Sequence, residues 1–246
     1  LGKEKGEKAA KQIIIQSVLD KLKTFHGGKN DYTPYMAATA ETIKKFIQDK
    51  NLAPIPSDTL KVEPMPSYFP ALDRTFLDGP GAFDATGPYT LYIEQMPASW
   101  SEEQVNSMLE EYNNFSLDFI TAQYVFPGMF APLALSRKNA TPLRNMTANQ
   151  ALLKAWPLYL QDKMVAAGFK EFDLKARLYQ LKLQLKNVIL FQMDMNVHEG
   201  NYTKEKAVNY MINSGFISQA EAEQLWNYLA LNPGDAALTY IGLEEI

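Results

Sequence analysis

The chain has 246 residues, 46% apolar and 21% charged, with 24 Lys and Arg against 28 Asp and Glu. Its net charge of −4 argues against a nucleic-acid partner, which needs a concentrated basic surface. The absence of cysteine excludes disulfides, thiolate nucleophiles, cysteine zinc sites and iron–sulfur clusters. Residues Glu7 to Phe25 predict a helix, with Ile13, Ile14, Val18 and Leu22 at helical spacing and His26-Gly27-Gly28 ending it. The surrounding Lys3, Lys5, Lys8 and Lys11 read as a solvated helix start. A second helix is predicted from Tyr35 to Lys50, with Met36, Ile43, Phe46 and Ile47 facing inward. Pro54, Pro56, Pro64, Pro66 and Pro70 then rule out continuous helix. Within that stretch Leu60-Lys61-Val62-Glu63 alternates as a strand should, Asp78 to Pro88 reads as a Gly/Pro loop, and Tyr89 to Ile93 predicts a second strand.

From Ser99 the pattern is helical. Ser99 with Glu102 predicts a capping box, followed by a buried face running from Val105 to Ile120. Thr147 with Gln150 predicts the next cap, on a helix continuing to Gly168. Leu174 to His198 predicts a long helix. Thr203 begins another, and Ser218 with Glu221 caps a last one stopped by Pro233-Gly234. The longest apolar run, Val125 to Leu135, is broken by Pro127, Gly128 and Pro132, so no transmembrane segment is expected in this chain. Leu1 opens a charged stretch rather than a signal sequence, and without an initiating Met an upstream portion is expected. The expectation is a single mostly helical domain over residues 1–246 with a small two-stranded β element.

Chemistry-bearing patterns are few. With only His26 and His198, a His-Glu-x-x-His zinc motif is impossible. His26, in a helix-ending turn, reads as a partner of the helix dipole. His198 follows Asp194 by four residues, so the two side chains share a helix face and the carboxylate can orient the imidazole. Such a pairing is more often only a helix-terminal ion pair. The acid pairs Glu102-Glu103, Glu110-Glu111 and Glu244-Glu245 read as solvated.

From Leu60 onward the order of features resembles the bacterial domain-of-unknown-function family 885. The resemblance rests on Leu60-Lys61-Val62 with Pro64, Gly87-Pro88-Tyr89, Trp100-Ser101-Glu102-Glu103, Glu111-Tyr112-Asn113 and Pro127-Gly128. It continues through Trp156 with Tyr159, Asp194-x-x-x-His198 and the closing Gly242 with Glu245-Ile246. It covers nearly the whole chain and corresponds to the C-terminal portion of longer family members. It implies a mainly α, zincin-like helical fold, zinc as the family's cofactor, and an exported lipoprotein at the periplasm or outer surface.

Set on the family's His-Glu-x-x-Pro-Gly-His signature, the chain places Gln123 at the first His, Tyr124 at the general-base Glu, and Met129 and Phe130 at the closing histidines. Lys154 stands where the Glu of Glu-Gly-Trp-Ala-x-Tyr would be the third metal ligand. Gln, Met and Phe are poor zinc ligands, and Lys brings a positive charge to a cation site. The expectation is therefore no bound metal or other cofactor and no family catalysis. A vestigial cleft would remain, lined or supported by Tyr92, Trp156, Tyr159, Asp194 and His198, with Tyr89 to Ile93 free to pair with an extended peptide. By the resemblance His198 would once have stabilised an oxyanion, and Lys154 is expected to pair with a carboxylate such as Asp194. The expected partner is a peptide, a protein, or a missing N-terminal portion of the same protein. The alternative is a hydrolase or peptidase with a rearranged site around Asp194, His198 and Tyr124.

Overall fold

Hydrophobic periodicity, proline placement and side-chain caps divide the chain into ten helices and three short strands among the residues described by a computed structural model. These are residues 2–69, 75–81, 83, 84, 87–138, 146, 147 and 149–246, without the side chains of 2–5 and 8. Helix α1 spans Gly2–Leu22 and α2 spans Tyr32–Lys50; the strands are β1 Leu60–Pro64, β2 Thr75–Asp78 and β3 Tyr89–Ile93. Then come α3 Glu102–Glu111, α4 Asn114–Tyr124, α5 Phe130–Ser136 and α6 Gln150–Ala166. A short 3₁₀ turn at Phe169–Phe172 precedes α7 Leu174–His198, α8 Lys204–Gly215, α9 Gln219–Leu231 and α10 Asp235–Glu245. The mainly helical class and the long α7 agree with the periodicity. Pro70 lies outside the described residues.

The sheet has three strands, not two. β3 is central, parallel to β1 and antiparallel to β2. The added strand, Thr75-Phe76-Leu77-Asp78, is too short for its alternation to stand out beside the Gly/Pro loop that follows. Its presence corrects one functional expectation. Both edges of β3 are already paired, so Tyr89–Ile93 has no free backbone ladder to offer a peptide.

Two helix starts also differ from expectation. The capping box is Ser101 with Gln104: the Gln104 amide donates to Ser101 Oγ at 3.2 Å, and the Ser101 amide donates to Gln104 Oε1 at 2.9 Å. A turn that closes Trp100 N onto Pro97 O at 3.2 Å occupies the residues before it. Asn149, not Thr147, caps α6 by accepting from Leu152 N at 3.1 Å. The predicted continuous face from Val105 to Ile120 is broken where Asn113 accepts from Phe115 N and Ser116 N, starting α4 afresh.

The larger core joins Met36, Ile43 and Ile47 of α2 to Leu91 of β3, Phe119 of α4 and Phe130 of α5. The second core joins Ile189 and Met193 of α7 to Met211 of α8 and Leu229 of α9. Each such buried side chain contributes roughly 1.5–3 kcal/mol. Helix α7, about 37 Å long at 1.5 Å per residue, reaches both cores, with Ala176 in the first and Ile189 in the second.

The chain continues past Pro233-Gly234 into α10, which the sequence reading does not include. Its N-cap position is Gly234, which has no side chain to cap the exposed amides. Helix α10 packs along α6 so closely that a Cβ on Gly242 would lie 2.2 Å from Ala151 O.

Candidate functional site

Between α4 and α5 the chain turns at Pro127-Gly128. A Cβ on Gly128 would sit 1.8 Å from Gln123 O, so only glycine permits this approach. The same carbonyl accepts from Met129 N at 2.8 Å. Gln123, Tyr124 and Met129 are thereby gathered at one corner, each half-buried, while Phe130 is fully buried in the core. Trp156 of α6 donates its indole N–H to Pro127 O at 3.0 Å. Its ring stacks with Tyr159 at 5.9 Å between centroids, 30° between planes. The Lys163 ammonium lies 5.0 Å from the Tyr159 ring centroid. The turn and the Lys154–Tyr159 segment are thus neighbours.

Tyr92 is placed in a different setting. It faces outward from β3, opposite Phe76 in register, with its ring 5.5 Å from that of Phe69. That aromatic group includes Tyr68, 5.5 Å from Phe69.

Lys154 does not pair with Asp194. Its ammonium contacts Asp235 Oδ2 at 2.5 Å, and the Tyr228 hydroxyl donates to the same oxygen. Asp194 is engaged elsewhere, because both of its oxygens serve α10. Oδ1 accepts from Gly234 N at 2.9 Å, and Oδ2 accepts from Ala236 N at 3.0 Å and Ala237 N at 3.2 Å. This 2% exposed carboxylate supplies from α7 the cap that α10 lacks in its own sequence. His198 lies 3.6 Å from Asp194 Oδ1 and closer to the Leu229 carbonyl, at 2.9 Å from Nε2. A carbonyl only accepts, so Nε2 carries the proton in this contact. Among the described residues no three His, Asp or Glu side chains converge where a metal ion could be held.

A second charged group escapes the sequence reading. Glu111, which the sequence pattern presents as a solvated acid, is buried between α3, α7 and α9. Lys182 Nζ reaches both of its oxygens, at 3.0 and 3.3 Å, with side chains only 11% and 14% exposed. One helical turn along α7, Lys186 pairs with Glu221 of α9. Burial, reinforced by the neighbouring Glu221 carboxylate, pushes Glu111 up to about 7. Burial acts on Glu221 in the same direction, but Lys186 outweighs it and holds that carboxyl below its usual range. The spacing from Ser218 makes Glu221 the acid of a capping box, and its backbone N does donate to Ser218 Oγ at 3.3 Å. Its side chain turns instead to Lys186. The available signal was Lys182-x-x-x-Lys186 set among the apolar Leu178, Leu181 and Leu185 of α7.

A third ionic group anchors the turn after α6. Asp118, 3% exposed, accepts from Tyr35 OH at 2.9 Å and pairs with Lys170 Nζ at 2.8 Å. Burial raises its carboxyl above the usual range despite Lys170. Lys170, Glu171 and Phe172 all have left-handed backbones, with φ of 56°, 55° and 61°.

Solved structures similar to this chain include two of lipoprotein description. One is described as "a putative lipoprotein of unknown function" from Shewanella oneidensis. It is 25% identical with a TM-score of 0.80, over 95% of this chain and 42% of that one. The other, "the putative lipoprotein" from Colwellia psychrerythraea, is alike in fold at 22% identity and a TM-score of 0.66, over 83% of this chain and 34% of that one. The chain therefore spans less than half the length of either. No curated protein matches it. No helix among the described residues is long and apolar enough to cross a membrane. The bacterial family of unknown function DUF885 matches residues 3–246, and the chain belongs to that family.

Proposed function

We propose that the chain is a catalytically inactive, zincin-like protein that binds a peptide or protein at the corner formed by Tyr124, Met129, Trp156 and Tyr159. The observation that supports this reading is the ion pair of Lys154 with Asp235, joined by Tyr228. At the position where the resemblance calls for a metal-binding Glu, there is a cation already neutralised by a carboxylate. An amide, a phenol, a thioether and an ammonium make a donor set that does not suit a divalent ion. Tyr124 cannot replace a carboxylate base near neutral pH without a large lowering of its pKa. Elemental analysis of the purified chain, with a peptidase assay run with and without chelator, tests the reading. The expected result is no stoichiometric zinc and no chelator-sensitive cleavage. Zinc at one equivalent, or cleavage lost with chelator, refutes it. Binding is read separately, from the fluorescence of Trp156 against a peptide panel, with Trp156→Phe as control.

The rearranged-hydrolase alternative meets two obstacles. Asp194 is committed to three backbone amides, and His198 Nε2 is committed to a carbonyl. Hydrolysis of a peptide or ester library that disappears in His198→Ala would restore it.

A second reading concerns α1. Ile13 and Ile14 are 70% and 63% exposed on this helix. The similar Shewanella structure has more than half its chain outside the match. We propose that a corresponding further portion of the protein covers this face, and that the whole is an exported lipoprotein like the proteins it resembles. Light scattering of the chain with Ile13→Gln and Ile14→Gln tests the first part: self-association of the unsubstituted chain should fall in the variant.

A further inference from the structure

A cavity of about 310 Å3 opens between α1, α3, α7 and the turn joining α8 to α9. None of its lining residues belongs to the Lys154–Tyr159 region. Leu19, Tyr179, Ile212, Phe216 and Ile217 give it apolar surface. Asp20, Lys23, Glu110, Glu111 and Lys182 give it charge of both signs. The charges form two groups at different depths. At the rim Lys23 Nζ lies 3.0 Å from Glu110 and 3.5 Å from Asp20, with side chains 36–48% exposed. In the interior Lys182 holds Glu111. Ser218 and Gln219, at the start of the 13-residue α9, also line it, and the first turn of a helix presents amides without backbone partners inside the helix. Phe216 enters the lining from a left-handed backbone, φ 54°, a conformation a bulky residue rarely keeps without tertiary support.

We propose that this cavity binds a small zwitterion with an apolar side chain, of the size of a dipeptide. The argument is one of charge matching. A simple anion would face three carboxylates, and a simple cation would face two ammoniums. A neutral apolar ligand would strip water from both ion pairs and replace none of its hydrogen bonds. A zwitterion answers both signs: its ammonium meets Asp20 and Glu110, and its carboxylate meets Lys182 and the first amides of α9. Its side chain lies on Leu19, Ile212 and Ile217. The volume is at the small end for ligand pockets, which favours two residues over a longer peptide.

Calorimetric titration of the full chain with L-leucyl-L-alanine, its N-acetyl form and its C-terminal amide tests the proposal. The free dipeptide should bind, and blocking either end should weaken binding about tenfold or more, the loss expected for one charge-assisted contact. Asp20→Asn combined with Glu110→Gln changes only rim side chains, so the fold is kept. In that variant the free dipeptide should weaken about tenfold, and the N-acetyl form should be unaffected. The proposal is overturned if none of the three probes gives saturable heat up to about 10 mM. It is equally overturned if all three bind alike, or if the rim variant binds the free dipeptide as the unsubstituted chain does.

Discussion

Replacing Glu111 with Gln isolates the cost of a buried carboxylate that faces another carboxylate. In the folded chain burial and Glu221 lift this group from 4.5 to about 7. The ammoniums of Lys182 and Lys186 on α7 act in the opposite direction. Between those two pH values the folded state holds a proton that the unfolded state has released. Stability contributed by this group is therefore full below about pH 4.5 and is lost as pH rises toward about 7. At 1.36 kcal/mol per unit the loss is about 3 kcal/mol, an upper bound for a site that water can partly relax. The Glu111→Gln side chain would imitate the protonated acid at every pH and would offer an N–H to Glu221 Oε2, which has no hydrogen-bond partner among the described residues. The substitution would also leave Lys182 without its carboxylate partner. Urea unfolding of both chains at about pH 5 and about pH 8 separates the two effects. Relative to the unsubstituted chain, the variant should gain up to about 3 kcal/mol between the two conditions. A difference that stays constant within about 0.5 kcal/mol would refute the reasoning, because Glu111 would then titrate like an ordinary surface acid.

Asp194→Ala should cost about 2–4 kcal/mol in urea unfolding, since three amides of α10 lose their acceptor at once. Asp194→Asn should cost less, because its remaining carbonyl oxygen still accepts, and hydrogen exchange should show faster opening of α10 in both variants. Gly128→Ala should destabilise the chain by about 3 kcal/mol, the new Cβ meeting a backbone carbonyl that no rotamer change can move aside. Glu171→Gly should stabilise by about 0.5–1 kcal/mol, because glycine holds the left-handed conformation without the Cβ clash that Glu171 bears. Thermal unfolding measures the last two.

Elements whose start and periodicity are encoded locally are legible in the sequence. Leu174 to His198 reads as one helix because Leu178, Leu181, Leu185 and Val188 repeat three and four residues apart. Thr203 and Ser218 act as the caps their residue types imply. β3 is readable because Tyr89–Ile93 combines aromatic and β-branched residues between turn signals. The charge group of Glu111, Lys182, Lys186 and Glu221 is not, because nothing in a solvated-looking Glu110-Glu111 tells which acid a distant helix will cover. Adjacent residues point about 100° apart on a helix, and here Glu110 stays at the rim with Lys23 while Glu111 turns inward.

Asp194 stands out in the sequence for its spacing to His198, whereas α10 does not stand out because its start shows no cap. The two facts have one physical cause. A helix beginning at Pro233-Gly234 has unpaired amides and no local acceptor, so its stability must come from elsewhere. Asp194, buried at 2% exposure, is tolerated only where several donors replace its water. Each solves the other's problem across 40 residues of chain. This arrangement also fixes Asp235, the first residue of α10, where it meets Lys154. Asp194 in this way joins α7 to α10, and through Asp235 to Lys154 of α6. Any binding role for the neighbouring corner of Trp156 and Tyr159 rests on a frame that Asp194 holds in place, so Asp194→Asn should weaken peptide binding there only to the extent that it loosens α10. Loss of binding with α10 still protected from exchange would instead make Asp194 a direct contact.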